Sequence, residues 1–105
     1  SLLRAIEMIE ANLAEPLSTE DLADEVGICP RQLQRLFKRQ FGMPPGQFAM
    51  QRRLLKARQL LHQTEMSITE VGVALGFVSL SHFSRCYAKA FGRQPRQDRL
   101  RLICA

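Results

Sequence analysis

The chain has 105 residues, 15 Lys and Arg against 10 Asp and Glu, a formal net charge of +5 and a pI near 9.7. A hydrophobic content of 46% can fill a core and argues against disorder, and no apolar run reaches the roughly 18 residues of a membrane-spanning helix. Cys29, Cys86 and Cys104 are scattered without Cys-x-x-Cys spacing, which excludes a disulfide framework and a zinc ribbon and predicts a reducing, cytoplasmic setting.

From the first residues onward the pattern is helical. Leu2, Ile6, Ile9 and Leu13 recur on one face of an amphipathic helix that Pro16 should stop. This pattern starts directly after Ser1, which predicts a piece of a longer protein. Ser18 with Asp21, and later Ser67 with Glu70, have the spacing of an N-cap followed three positions on by an acid, so two short helices should begin there. Pro45 suits the first position of a long helix, 45–62, with a stripe of Phe48, Leu54, Ala57 and Leu61. No segment alternates as a strand does. The fold class expected is all-α.

Charge is unevenly distributed along these elements. Residues 1–30 hold one basic and seven acidic side chains, whereas residues 31–63 hold eight basic and no acidic ones. A second basic block, residues 80–105, follows an acidic spacer. Two basic blocks of this kind form an electrostatic footprint for a polyanion.

The chain also contains one unit twice. At an offset of 49, Ser18, Leu22, Ala23, Val26 and Gly27 meet Ser67, Val71, Gly72, Leu75 and Gly76. One extra residue in the second turn shifts the offset to 50, and Leu33, Arg35, Phe37, Phe41, Gly42 and Pro45 then meet Phe83, Arg85, Tyr87, Phe91, Gly92 and Pro95. Each copy reads as a helix-turn-helix: a small residue where two helices cross (Ala23, Gly72), and a glycine that accepts positive φ in the tight turn (Gly27, Gly76).

In the second helix of the first copy, Ile28, Leu33, Leu36 and Phe37 turn inward and leave Arg31, Gln32, Gln34, Arg35, Lys38 and Arg39 outward. In the second copy, Phe77, Phe83, Cys86 and Tyr87 turn inward, leaving Ser81, His82, Ser84, Arg85 and Lys89 outward. Arginine pairs with guanine O6/N7 and glutamine with adenine N6/N7, so such faces can read DNA as well as hold it. Arg85, with Ser81 and His82 beside it, is the base-reading candidate of the second copy. Gln32, Lys38, Arg39, Arg52, Arg53, Lys89, Arg93 and Arg96 are assigned to phosphates, which set register without carrying sequence information. Of these, Arg52, Arg53, Arg93 and Arg96, and with them Lys56 and Arg58, are read as phosphate contacts or solvated side chains.

The tandem units, with Gly-Phe-x-Ser-x-Ser-His-Phe-Ser-Arg-x-Tyr-x-x-x-Phe-Gly-x-x-Pro over residues 76–95, resemble the DNA-binding domain of AraC/XylS-type transcriptional regulators. The resemblance covers residues 3–101. It implies about seven helices, with a first helix-turn-helix over about 20–41, a linker helix over about 45–62 and a second helix-turn-helix over about 68–91. It places Arg31, Gln34 and Arg35 on base-facing positions. The partners implied are double-stranded DNA, RNA polymerase and an N-terminal effector-sensing domain, with the isolated domain monomeric. The Ser-His-Phe-Ser-Arg-Cys-Tyr wording is similar to the subgroup with an amidotransferase-like N-terminal half. One departure stands out: the family usually has Tyr-Arg shortly after the last proline, and here Pro95 is followed by Arg96-Gln97-Asp98-Arg99.

Other readings of the same residues are weaker. His82 among serines has no acid near it in sequence for nucleophilic catalysis, and His62 and the cysteines read as a helix-terminal histidine and buried thiols, so neither enzyme chemistry, a metal site nor a cofactor is expected. The acidic face of residues 7–25 is a solvated helix surface or a contact for the sensor domain or polymerase. The competing function is a basic interaction module that docks an acidic protein.

Overall fold

The computed structural model describes the backbone of residues 2–104 and the side chains of residues 2–100; the Cys104 thiol lies outside them. Seven helices follow in order: α1 (Leu2–Ala11), α2 (Thr19–Val26), α3 (Pro30–Phe41), α4 (Pro45–Gln63), α5 (Ile68–Ala74), α6 (Leu80–Phe91) and α7 (Pro95–Cys104), with no strand among the described residues. The chain forms two compact units, Ser1–Arg52 and Arg53–Ala105, whose boundary falls within α4.

In the first unit α1 ends at Ala11, well before the expected stop at Pro16. The Asn12 side chain donates to the Met8 carbonyl (2.8 Å) and its backbone N–H to that of Ile9 (3.1 Å), so the last turn closes on itself. Ser18 Oγ accepts from the Asp21 N–H (3.1 Å) and starts α2. Ala5 and Ile9 of α1, Leu22 and Ala23 of α2, Leu33 and Phe37 of α3 and Phe48 of α4 form one buried cluster. Phe37, Phe41 and Phe48 pack mutually at centroid distances of 4.6–5.5 Å. Full burial of a phenylalanine such as Phe37 contributes about 1.5–3 kcal/mol.

The second unit repeats this plan with different parts. Ser67 and Glu70 form a reciprocal capping box at the start of α5, each side chain bonding the other's backbone N–H at 3.0 Å. These bonds hold the exposed Glu70 carboxyl below its ordinary pKa. Val71, Leu75, Phe77, Phe83 and Tyr87 are buried, and Phe77, Phe83, Tyr87 and Phe91 form a run of ring contacts at 4.6–5.9 Å.

Asp98 sits in the place of the family's expected Tyr-Arg segment and is only 2% exposed. It accepts a hydrogen bond from the Tyr87 hydroxyl and lies 3.4 Å from Arg58 Nε. Arg99 donates to the carbonyls of Leu61 (3.2 Å) and Thr64 (3.3 Å) near the end of α4. At the departure in sequence α7 is therefore anchored by a buried bond between Asp98 and Tyr87 and by more exposed contacts of Arg58 and Arg99.

Both units close their tight turn by the same two bonds. Ile28 N–H reaches the Ala23 carbonyl (3.1 Å) and Gly27 N–H that of Asp24 (3.2 Å); Phe77 N–H reaches the Gly72 carbonyl and Gly76 N–H that of Val73, both at 3.0 Å. This is the Schellman arrangement, and it requires the left-handed φ of +76° at Gly27 and +83° at Gly76.

Candidate nucleic-acid interface

In the first unit Pro30 opens α3, and Leu33 and Phe37, one turn apart, anchor it in the core. That registration leaves Arg31, Gln32, Gln34, Arg35, Lys38 and Arg39 exposed. Four cations on 12 residues, with no acid on the helix and no ion pair to any of them among the described residues, make this a concentrated positive surface. Cys29, expected as a buried thiol, is exposed at the N-cap instead.

The corresponding surface of α6 is leaner. Ser79 caps the helix by accepting from the His82 N–H (3.1 Å), Phe83 and Tyr87 anchor it, and Ser81, Arg85 and Lys89 are exposed. Ser84 is half-buried and lines a cavity of about 730 Å³ together with Ile68, Leu80, Pro95, Arg99 and others.

Besides Ser84, two further residues expected outward are placed otherwise. His82 is half-buried: its ring packs on Phe77 (5.5 Å between centroids), Nε2 lies 3.6 Å from Cys86 Sγ, and Nδ1 is shielded. Cys86 is half-buried with it, and since the two stand four residues apart they share a helix face, a signal present in the spacing. Arg53, expected at phosphates, is 8% exposed with its guanidinium over the Phe77 ring at 5.1 Å. Burial pulls its pKa below the ordinary value, with a smaller opposing effect from Cys86. Arg53 stands four residues before buried Ala57, so the helical stripe already included it.

The other cations divide by what they touch. Arg52 is paired with Glu10 at 3.5 Å and stacked over Phe48 at 4.9 Å, whereas Arg58, read from sequence as a phosphate contact or solvated, is turned to Asp98 and the Phe91 ring. Arg96 is exposed and Arg93 partly so. Among the described residues no three His, Cys, Asp or Glu side chains come together as metal ligands, and no helix is long and apolar enough to cross a membrane.

Two helix-turn-helix units, each with a cationic face on its second helix, define a class of tandem helix-turn-helix proteins. Residues 22–101 match the helix-turn-helix domain family, and the chain belongs to the AraC-type DNA-binding domains of transcriptional regulators. A transcriptional regulator with such a domain from Chromobacterium violaceum is 46% identical, with a TM-score of 0.92 over 96% of this chain and 90% of that one. The DNA-binding domain of AdpA, solved in complex with a target DNA, has a TM-score of 0.86 at 26% identity, covering 94% of this chain and 89% of that one. The regulator GbdR of Pseudomonas aeruginosa is 46% identical over 98 residues, which are 93% of this chain and 27% of GbdR. The chain thus spans under a third of the length of that curated relative.

Proposed function

We propose that residues 3–101 bind double-stranded DNA sequence-specifically as the output domain of a bacterial, cytoplasmic transcription regulator without enzymatic activity of its own. The observation that carries this reading is the acid-free outward face of α3, with Arg31, Arg35, Lys38 and Arg39, matched in register by Arg85 and Lys89 on α6. Arg31, Gln34 and Arg35 read base edges from α3, and Ser81 and Arg85 from α6. His82 supports α6 through Phe77 rather than reading a base, because its ring nitrogens are shielded or turned to Cys86. Gln32, Lys38, Arg39, Lys89, Arg93 and Arg96 hold phosphates, a role Arg52 shares only weakly beside Glu10. The two recognition helices occupy successive major grooves, the duplication replacing the two-fold symmetry of dimeric binders, so one chain suffices. RNA polymerase and an N-terminal sensor domain are the protein partners of the full-length regulator.

The test compares Arg35→Ala and Arg85→Ala on a selected duplex and on random DNA. Each variant should lose about 1–3 kcal/mol on the selected site and almost nothing on random DNA. Equal losses on both would reduce the two arginines to phosphate contacts. Failure of the parent domain to prefer any duplex would favour docking of an acidic protein.

A further inference from the structure

The extra residue in the second turn can be identified from the backbone. Because Phe77 N–H and Ile28 N–H make the same bond to Gly72 and Ala23, Phe77 corresponds to Ile28 at the offset of 49. The N-caps of the following helices, Cys29 and Ser79, already stand at the offset of 50. The residue inserted between these two landmarks is Val78. It is 91% exposed, the most exposed of the large hydrophobic side chains among the described residues, while Phe77 beside it is buried.

We infer that Val78 is a specificity-determining residue that packs against the C5-methyl group of a thymine in the half-site read by α6. The inference rests on the DNA-binding reading above. N-terminal residues of a recognition helix are those that meet base edges, and Val78 immediately precedes the N-cap of α6. Apolar contact with the thymine methyl is the one form of direct readout open to a side chain without donors or acceptors. Its own unit leaves Val78 almost entirely in water, so burial of its methyls is gained only on binding. The outward set of α6 is otherwise short, with Ser81 and Arg85 reading and His82 drawn inward. An apolar residue at the mouth of the turn adds a contact that the first unit, passing directly from Ile28 to Cys29, does not have.

The experiment uses the duplex this domain selects from a randomised pool, with each thymine in turn replaced by deoxyuridine, which lacks only the C5-methyl. At one thymine of the α6 half-site, replacement should weaken binding of the parent domain about fourfold, the worth of one buried methyl group. Val78→Ala should bind the thymine duplex weaker by a similar factor and be indifferent to that replacement, with an unchanged melting midpoint. The inference is overturned if no thymine shows the loss, or if the loss persists undiminished in Val78→Ala. Arg85→Ala on the same duplex separates the two levels: a specific loss there with no methyl effect at Val78 removes this inference and leaves the DNA-reading assignment standing. A pool that yields no preferred duplex overturns both.

Discussion

Ala23 and Gly72 occupy the same position in the two units, but their partners differ. Ala23 shares its buried cluster with Leu33, whereas Gly72 lies under Phe83, where even one added Cβ would stand 3.0 Å from the ring. The volume of the second helix's anchor and that of the small residue beneath it have changed together. A similar exchange runs through the rest of each unit. The first unit is closed by an apolar and aromatic cluster and keeps its cations outside it. The second takes polar groups inside: Asp98 with Tyr87, and Arg53 over Phe77, while Arg58 reaches Asp98 from the surface. A helix-turn-helix therefore constrains the turn and the crossing point closely, and leaves the means of closing the core open.

The largest effect should come from breaking the polar closure. Asp98→Ala removes the acceptor of a buried phenol and the partner of Arg58, and should destabilise the second unit by about 2–3 kcal/mol. The ion pair of the first unit should matter far less: Glu10→Gln loses the contact to Arg52 between side chains 46% and 42% exposed, worth at most about 1 kcal/mol, and leaves Arg52 stacked on Phe48. Urea unfolding followed by circular dichroism reports both units, and tyrosine fluorescence singles out the second, because Tyr87 is the sole tyrosine and the chain has no tryptophan. Equal losses from the two variants would show that the polar closure adds no special stability.

A smaller effect tests the co-adapted crossing. Gly72→Ala gains about 1 kcal/mol of helix propensity but forces a fully buried ring to shift at a cost of about 2 kcal/mol, for a net loss near 1 kcal/mol. Adding Phe83→Leu, which reproduces the pairing of the first unit, should make the double variant more stable than the sum of the singles by at least about 0.5 kcal/mol. Strict additivity would mean that Phe83 can yield without strain.

The pattern of success in reading the sequence follows the same division. The helices α1 to α6 and the two turns were legible because apolar spacing, caps and positive-φ glycines are local properties, written within a few residues of where they act, whereas α7 was implied only by the family resemblance. The cationic face of α3 was legible for the same reason, since Leu33 and Phe37 fix which side is inward. Arg53 and His82 depart from the expected outward placement because position outweighs charge and polarity: both lie four residues before an inward residue, and the ring of Phe77 receives each of them. Asp98 could not be found in this way. Its acceptor role depends on Tyr87, 11 residues away on another helix, and on Arg58, a contact between segments that no periodicity encodes.

The last effect is expected at Tyr87, and the part of it that distinguishes the two units emerges in alkali. Burial first, then the hydrogen bond to Asp98 and that carboxylate's charge, raise the phenol's pKa well above its ordinary value of 10.0. The folded pKa is thus higher than the unfolded one, and a group raised in this sense contributes stability that is fully present below the unfolded value. Above about pH 10 the unfolded chain releases a proton that the folded one retains, so stability falls progressively as pH climbs toward the folded pKa. Tyr87→Phe should cost stability at pH 7 through the lost hydrogen bond, about 1 kcal/mol, yet should flatten the alkaline decline specific to the second unit. Phenolate absorbance follows the titration directly, with Tyr87 as its single source. The parent protein should show phenolate appearing together with unfolding rather than before it, and titration of the native state at an ordinary tyrosine pKa would remove the polar closure from the account of how the second unit differs from the first.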